Sequence, residues 1–154
     1  MQNLEKSYAD NSRARFDYDI LENLDAGIVL AGHEVKAIRT GKCSIKGSYV
    51  KILQNELWLV GATIAPYQPG NTPEGYDDQR SRKLLVKKSE LKYLTGKSQE
   101  RGLTLVPLKI YDAHGLIKLE LGVARGKKKY DKRATIKKRE GQRNIRRALR
   151  GEKN

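Results

Sequence analysis

The sequence predicts a mainly β protein, a small antiparallel barrel with two to three short helices, followed by a basic C-terminal tail. Short apolar runs, most of them bounded by glycines or polar residues, recur through residues 16–124. Two pairs of these runs flank turn-like segments, the pattern of hairpins. Charge is distributed unevenly: residues 125–154 hold 14 Lys/Arg against 3 Asp/Glu, a net of +11, whereas the first 124 hold 18 against 15. Residues 1–124 are therefore assigned to the barrel and 125–154 to the tail.

The elements follow in chain order. Phe16-Asp17-Tyr18-Asp19-Ile20 alternates apolar and polar, the period of a half-buried strand. Gly27 to Gly32 is an apolar run between glycines and reads as a second strand. Glu34 to Thr40 switches period, with Val35 and Ile38 three apart and Gly41 placed as a helix-ending glycine. Ser48–Leu53 and Leu57–Ala62 form a hairpin around Gln54-Asn55-Glu56, which lacks the usual Asn-Gly pair. Pro66 to Gln79, with three prolines and two glycines, is a loop. Lys83–Val86 is a strand, and Ser89 is placed to cap a helix running to Thr95 and stopped by Gly96.

Leu103–Tyr111 and Leu116–Ala124 make the clearest hairpin, turning at residues 112–115. Ile117, Leu119, Leu121 and Val123 share one face, while Lys118, Glu120 and Gly122 share the other, giving one buried and one wet face. So many short strands in one small domain point to an OB-like barrel, because closure removes exposed edges.

Composition narrows the function. The 154 residues carry a net charge of +14, with 32% charged and 38% hydrophobic residues. A concentrated basic tail repels itself, buries little and orders when it meets a polyanion. No run suits a transmembrane helix, and the tail lacks the apolar face of a membrane-surface helix. No secretory signal is visible, and the single Cys43 excludes an internal disulfide, so the expectation is a cytoplasmic protein.

Catalytic patterns fail on inspection. Thr95-Gly96-Lys97-Ser98 resembles the end of a phosphate-binding loop, but Leu91 stands where its first glycine belongs. Cys43, His33 and His114 have no metal-site spacing, and no metal, cofactor or catalytic residue is assigned. A metal-free ribonuclease using His33 and His114 is the enzymatic alternative. Cations cluster instead around aromatics: Arg13 and Arg15 beside Phe16 and Tyr18, then Lys36 and Arg39, then Arg80, Arg82 and Lys83 with Lys87 and Lys88. Interleaved rings and cations suit RNA, whose unstacked bases lie on rings and guanidinium planes. A general single-strand RNA binder or a ribosomal protein would use the same residues.

Five ordered motifs stand out: Asn11-Ser12-Arg13-Ala14-Arg15-Phe16-Asp17-Tyr18, Ala26 to Leu30 with Gly32 to Lys36, Ile38 to Lys42, Arg80-Ser81-Arg82-Lys83-Leu84-Leu85, and Gly126-Lys127-Lys128-Lys129-Tyr130-Asp131-Lys132-Arg133. They resemble those of the small protein B family, whose members partner transfer-messenger RNA. The resemblance implies a barrel that binds the elbow of the tRNA-like domain and delivers the RNA to ribosomes stalled on messages without a stop codon. It implies a monomer in a one-to-one RNA complex, working at the small-subunit decoding centre and mRNA channel. The tail of such a protein is disordered when free and helical in the empty channel.

Carried onto this sequence, the RNA face comprises Arg13, Phe16, Tyr18, Asp25, Lys36, Arg39, Leu85 and Lys87, with Arg15, Arg80, Arg82 and Lys83 beside it. The decoding-site and channel set is Lys127, Lys128, Tyr130, Asp131, Lys132, Arg133, Ile136, Lys137, Lys138, Arg139, Ile145 and Leu149. Thr135 to Leu149 would fill the channel as a helix, where Gly141 costs roughly 1 kcal/mol against alanine. The sequence departs from the family pattern at Phe16 (often His), Asp25 (usually Glu), Tyr76-Asp77-Asp78 (His-Asp-Pro) and Lys87 (Asn or His).

Overall fold

The computed structural model describes residues 6–127 and, in the C-terminal segment, residues 133, 136, 137, 139, 140, 142 and 143. The elements are β1 (Lys6–Asp10), α1 (Ser12–Asp17), β2 (Tyr18–Ile28), α2 (Gly32–Arg39), β3 (Cys43–Ser44), β4 (Tyr49–Leu53), β5 (Glu56–Val60), β6 (Thr63–Ile64), a 3-10 turn (Pro69–Asn71), β7 (Arg82–Leu85), α3 (Lys88–Gln99), β8 (Leu103–Ala113) and β9 (Leu116–Gly126). The described C-terminal residues have helical backbone.

One antiparallel sheet runs in the order β1-β8-β9-β2-β7-β5-β4, while β3 and β6 form a separate short ladder. The sheet curls as an OB-like barrel but does not close, which corrects the expectation of a sealed barrel. β4 packs beside β8 without joining its ladder. The two edges are blunted another way: each end strand is five residues long, β1 carries a bulge between Ser7 and Ala9, and Lys6 and Lys51 are exposed.

Inside the curl lies a core of Ile45, Leu57, Leu59, Leu84, Leu105, Ile110, Leu119, Leu121 and Val123, capped by Ala37 and Ile38 from α2 and Leu94 from α3. Each such aliphatic side chain contributes about 1.5–3 kcal/mol of burial. A second cluster sits where α1 packs on the sheet, with Ala14, Val106, Leu108 and Ala124 buried against Tyr18 and Ile20. This cluster breaks the expected one-sided alternation of β9, since Gly122 and Ala124 are buried as well as Leu121 and Val123. At Gly122 a Cβ would lie 3.0 Å from Ile20 Cγ2 and 3.2 Å from Leu108 Cδ1, so the packing there requires the bare backbone.

Local expectations were met unevenly. Both hairpins form, and each turns on two residues with positive φ: Gln54 (50°) and Asn55 (60°), then His114 (52°) and Gly115 (81°). Phe16 and Asp17 belong to α1 rather than a strand. The helix is pinned from a distance: the Asn11 side-chain amide donates to the Pro107 carbonyl at 2.9 Å, and its backbone N–H to Leu108 O at 2.8 Å. The run Gly27–Gly32 ends β2 and then enters α2 at Gly32, where Glu34 Oε1 accepts the Ala31 N–H at 2.9 Å. α3 starts earlier and ends later than expected, because Glu90 accepts the Lys87 N–H at 3.0 Å and the helix passes through Gly96.

Candidate nucleic-acid interface

β2 is the spine of the interface, because its two ends carry different groups. Near its C-terminal end the register aligns Lys109, Glu120 and Asp25 in one cross-strand row of β8, β9 and β2. The next row on that face is Tyr111, Lys118, Gly27 and Leu85, crossing to β7. Gly27 carries no side chain, and the Leu85 side chain stands beside it, 52% exposed. Lys109 bridges to Glu120 at 3.5 Å and lies 5.0 Å from the Tyr111 ring centroid. Asp25 is exposed beside these groups, and Lys87 is exposed just past β7. At the tip of the β8–β9 hairpin, Arg39 donates to Gly115 O at 2.9 Å, which holds the end of α2 against the turn. Lys36 is exposed one turn earlier on the same helix.

Arg13, Arg15, Phe16 and Tyr18 gather at the other end of β2. Seven residues separate Tyr18 from Asp25 along the strand, roughly 20 Å at ~3.3 Å per residue. The expected single RNA face is therefore two groups. The second adjoins the start of the tail: Lys127 donates its backbone N–H to Asp17 O at 2.9 Å and its ammonium to Arg15 O at 3.3 Å. The Arg13 guanidinium lies 4.9 Å from the Phe16 ring centroid and that of Arg139, from the tail, 5.7 Å. Arg13 also pairs with Asp17 at 3.1 Å.

Arg82 is a correction to the sequence reading, because its side chain is fully buried and faces no partner molecule. Its Nε donates to Glu34 Oε2 at 2.9 Å, Nη1 to Ala62 O and Arg80 O at 3.0 Å, and Nη2 to Asp78 O and the Tyr76 hydroxyl at 3.1 Å. Arg80 is half-exposed and joins the same carboxylate through Nε at 3.2 Å and through Nη2. Burial pushes the Glu34 carboxyl up, and hydrogen bonds from Arg80, the Ala31 amide and Arg82 outweigh it, holding it at about 2. Tyr76, within the segment that departs from the family pattern, lies 2.8 Å from Ile64 O and takes the His33 ring edge-on at 4.7 Å. This cluster fastens the loop before β7, and so positions Leu85 and Lys87. Lys83 pairs with Glu56 at 3.3 Å.

His33 lies in the first turn of α2, whereas His114 lies in the hairpin turn held by Arg39 at the end of that helix. The two histidines therefore stand near opposite ends of α2, whose rise between residues 33 and 39 is about 9 Å. Cys43 is half-buried, and burial pushes its thiol up, as suits a filler side chain. Lys128, Tyr130, Asp131, Lys132, Lys138, Ile145 and Leu149, with Gly141, lie outside the described residues. Arg133, Ile136, Lys137 and Arg139 are exposed. The sequence reading put Lys118 and Glu120 on a wet face but did not single out Lys109 or Tyr111; their place in the same rows follows from the register, with Tyr111 itself buried.

A family model described as SmpB protein matches residues 8–151. The chain belongs to the SmpB family. The SsrA-binding protein of Desulforudis audaxviator is 48% identical over 147 residues, covering 96% of this chain and 95% of that protein. That of Cupriavidus taiwanensis is 50% identical over 145 residues, covering 94% of this chain and 97% of that one. A solved chain from the work described as "tmRNA-SmpB: a journey to the center of the bacterial ribosome" is 50% identical with a TM-score of 0.64, covering 78% of this chain and 84% of that chain. The SmpB match spans both the barrel and the basic C-terminal segment.

Proposed function

We propose that this chain binds the tRNA-like domain of transfer-messenger RNA and delivers it to stalled ribosomes for trans-translation. It acts in the cytoplasm and carries no catalytic chemistry of its own. The observation that carries this reading is the family match over residues 8–151, which takes in the barrel and the basic segment together. The rows containing Asp25 and Leu85, flanked by Lys36, Arg39 and Lys87, form the face for the RNA elbow. Tyr130, Asp131, Lys132 and Arg133 act at the decoding centre, and the tail beyond enters the mRNA channel.

The group at the root of the tail (Arg13, Arg15, Phe16 and Tyr18) joins the decoding-side contacts, since the Phe16 ring already shares a guanidinium with the tail. A cationic segment in an RNA-lined channel gains from counterion release. A channel filled by message excludes it sterically, which makes engagement conditional on an empty channel. The test is titration of the full chain into labelled transfer-messenger RNA at near-physiological salt, with excess bulk tRNA and ribosomal RNA fragments. Binding that survives the competitors is expected. Binding lost to any excess RNA would leave a general RNA-binding barrel.

A further inference from the structure

Between β7 and α3 the surface opens into a groove of about 870 Å³. Leu85, Val86 and Leu91 supply its apolar part, and Lys88 and Lys92 stand on its rim. The volume is at the upper end of the roughly 300–1,000 Å³ that ligand sites occupy, ample for one nucleoside and its phosphate. Among the described residues, Lys88 and Lys92 have no carboxylate partner, and Glu56, which also lines the groove, pairs with Lys83. The rim is therefore uncompensated positive charge.

Gly96 stands in the wall of this groove, and among the described residues nothing packs where its side chain would be. It is helical, its φ is not positive, and a Cβ placed there would meet no atom within 4 Å. The fold would accept alanine at once, and a glycine inside a helix weakens it relative to alanine. A bare backbone that the chain's own packing does not use leaves room for close approach from outside. The same residue borders a second depression on the other flank of α3, beside Tyr93 and Lys97.

We propose that this groove holds an unstacked base of the bound transfer-messenger RNA, with an adjacent phosphate drawn against the Gly96 backbone by Lys88 and Lys92. The proposal rests on the reading of this chain as a transfer-messenger RNA partner and extends its contact face from Leu85 and Lys87 onto α3. RNA is the occupant because Leu85 belongs both to that face and to the groove lining, and the rim is cationic. The base face covers the aliphatic floor, while its polar edge stays in water at the open side.

The test uses the full chain, labelled transfer-messenger RNA and three variants: Gly96→Gln, Lys88→Ala/Lys92→Ala, and Lys36→Ala/Arg39→Ala. Gly96→Gln fills the groove with a good helix former, so Tm is expected to stay level or rise by a few degrees while affinity falls at least about tenfold. Lys88→Ala/Lys92→Ala, whose side chains are exposed and keep the fold independent of the glycine, is expected to weaken binding and lower the salt slope by roughly 1 per phosphate contact. Chemical probing of the RNA is expected to show the same few nucleotides protected by wild type and released by both variants. Affinity unchanged in both groove variants, with Lys36→Ala/Arg39→Ala still weakened, would overturn the groove and leave the transfer-messenger RNA reading intact. Loss of discrimination between this RNA and bulk tRNA in wild type would overturn that reading itself.

Discussion

Arg82 Nη2 and Glu34 Oε2 lie 2.8 Å apart, and both side chains are wholly excluded from solvent. A cation from β7 and an anion from α2 are thereby locked across the barrel wall. Breaking a buried pair by removing one charge costs about 3–5 kcal/mol, because the other is left uncompensated. Glu34→Gln is therefore expected to lower Tm by roughly 10 °C or more, measured by thermal unfolding. A change of one or two degrees would mean that the pair is dispensable.

The same carboxylate sets an acid limit. Its folded value of about 2 lies below its ordinary 4.5, so its contribution is complete above pH ~4.5 and is lost as pH falls through ~2. That contribution is on the order of 3 kcal/mol. Denaturant unfolding at pH 5, 3 and 2 should show the gap between wild type and Glu34→Gln narrowing towards the lowest pH.

Gly122 and Gly126 make a matched pair of tests on one strand. A Cβ at Gly122 would press on Ile20 and Leu108, whereas at Gly126 it meets nothing within 4 Å. Gly122→Ala is expected to cost about 1–3 kcal/mol and Gly126→Ala to change stability by less than about 0.5 kcal/mol. Equilibrium unfolding of both variants distinguishes tight packing from a general dislike of side chains on β9.

Much of this fold is legible in the sequence where information is local. The β8–β9 hairpin follows from alternation across a short polar turn, and α2 from the spacing of Val35 and Ile38 before Gly41. α1 was not legible, because Phe16 and Asp17 alternate like a strand and are held helical by Asn11 bonding to Pro107 and Leu108, nearly a hundred residues away. Arg82 misled because it stands in a run of cations. Its parity with buried Leu84 placed it inward, and Glu34 shares its inward helix face with Ala37 and Ile38. Those two periodicities together carried the signal of an internal ion pair. The division of the basic residues between the two ends of β2 depended on register, which apolar patterning alone does not fix.

Lys36 and Arg39 offer a direct reading of the elbow face. The double variant Lys36→Ala/Arg39→Ala is expected to weaken transfer-messenger RNA binding about tenfold or more and to reduce the slope of log K against log salt by roughly 1 for each phosphate contact removed. An unchanged slope with unchanged affinity would move the RNA face elsewhere.

Deleting residues 131–154 and assaying tagging on ribosomes stalled on a message without a stop codon separates the barrel's hold on the RNA from the tail's reading of the ribosome. Transfer-messenger RNA binding is expected to stay within about threefold of the full chain, a difference of under ~1 kcal/mol, while tagging is lost. A truncated chain that still supports tagging would mean that the tail does not read the ribosome.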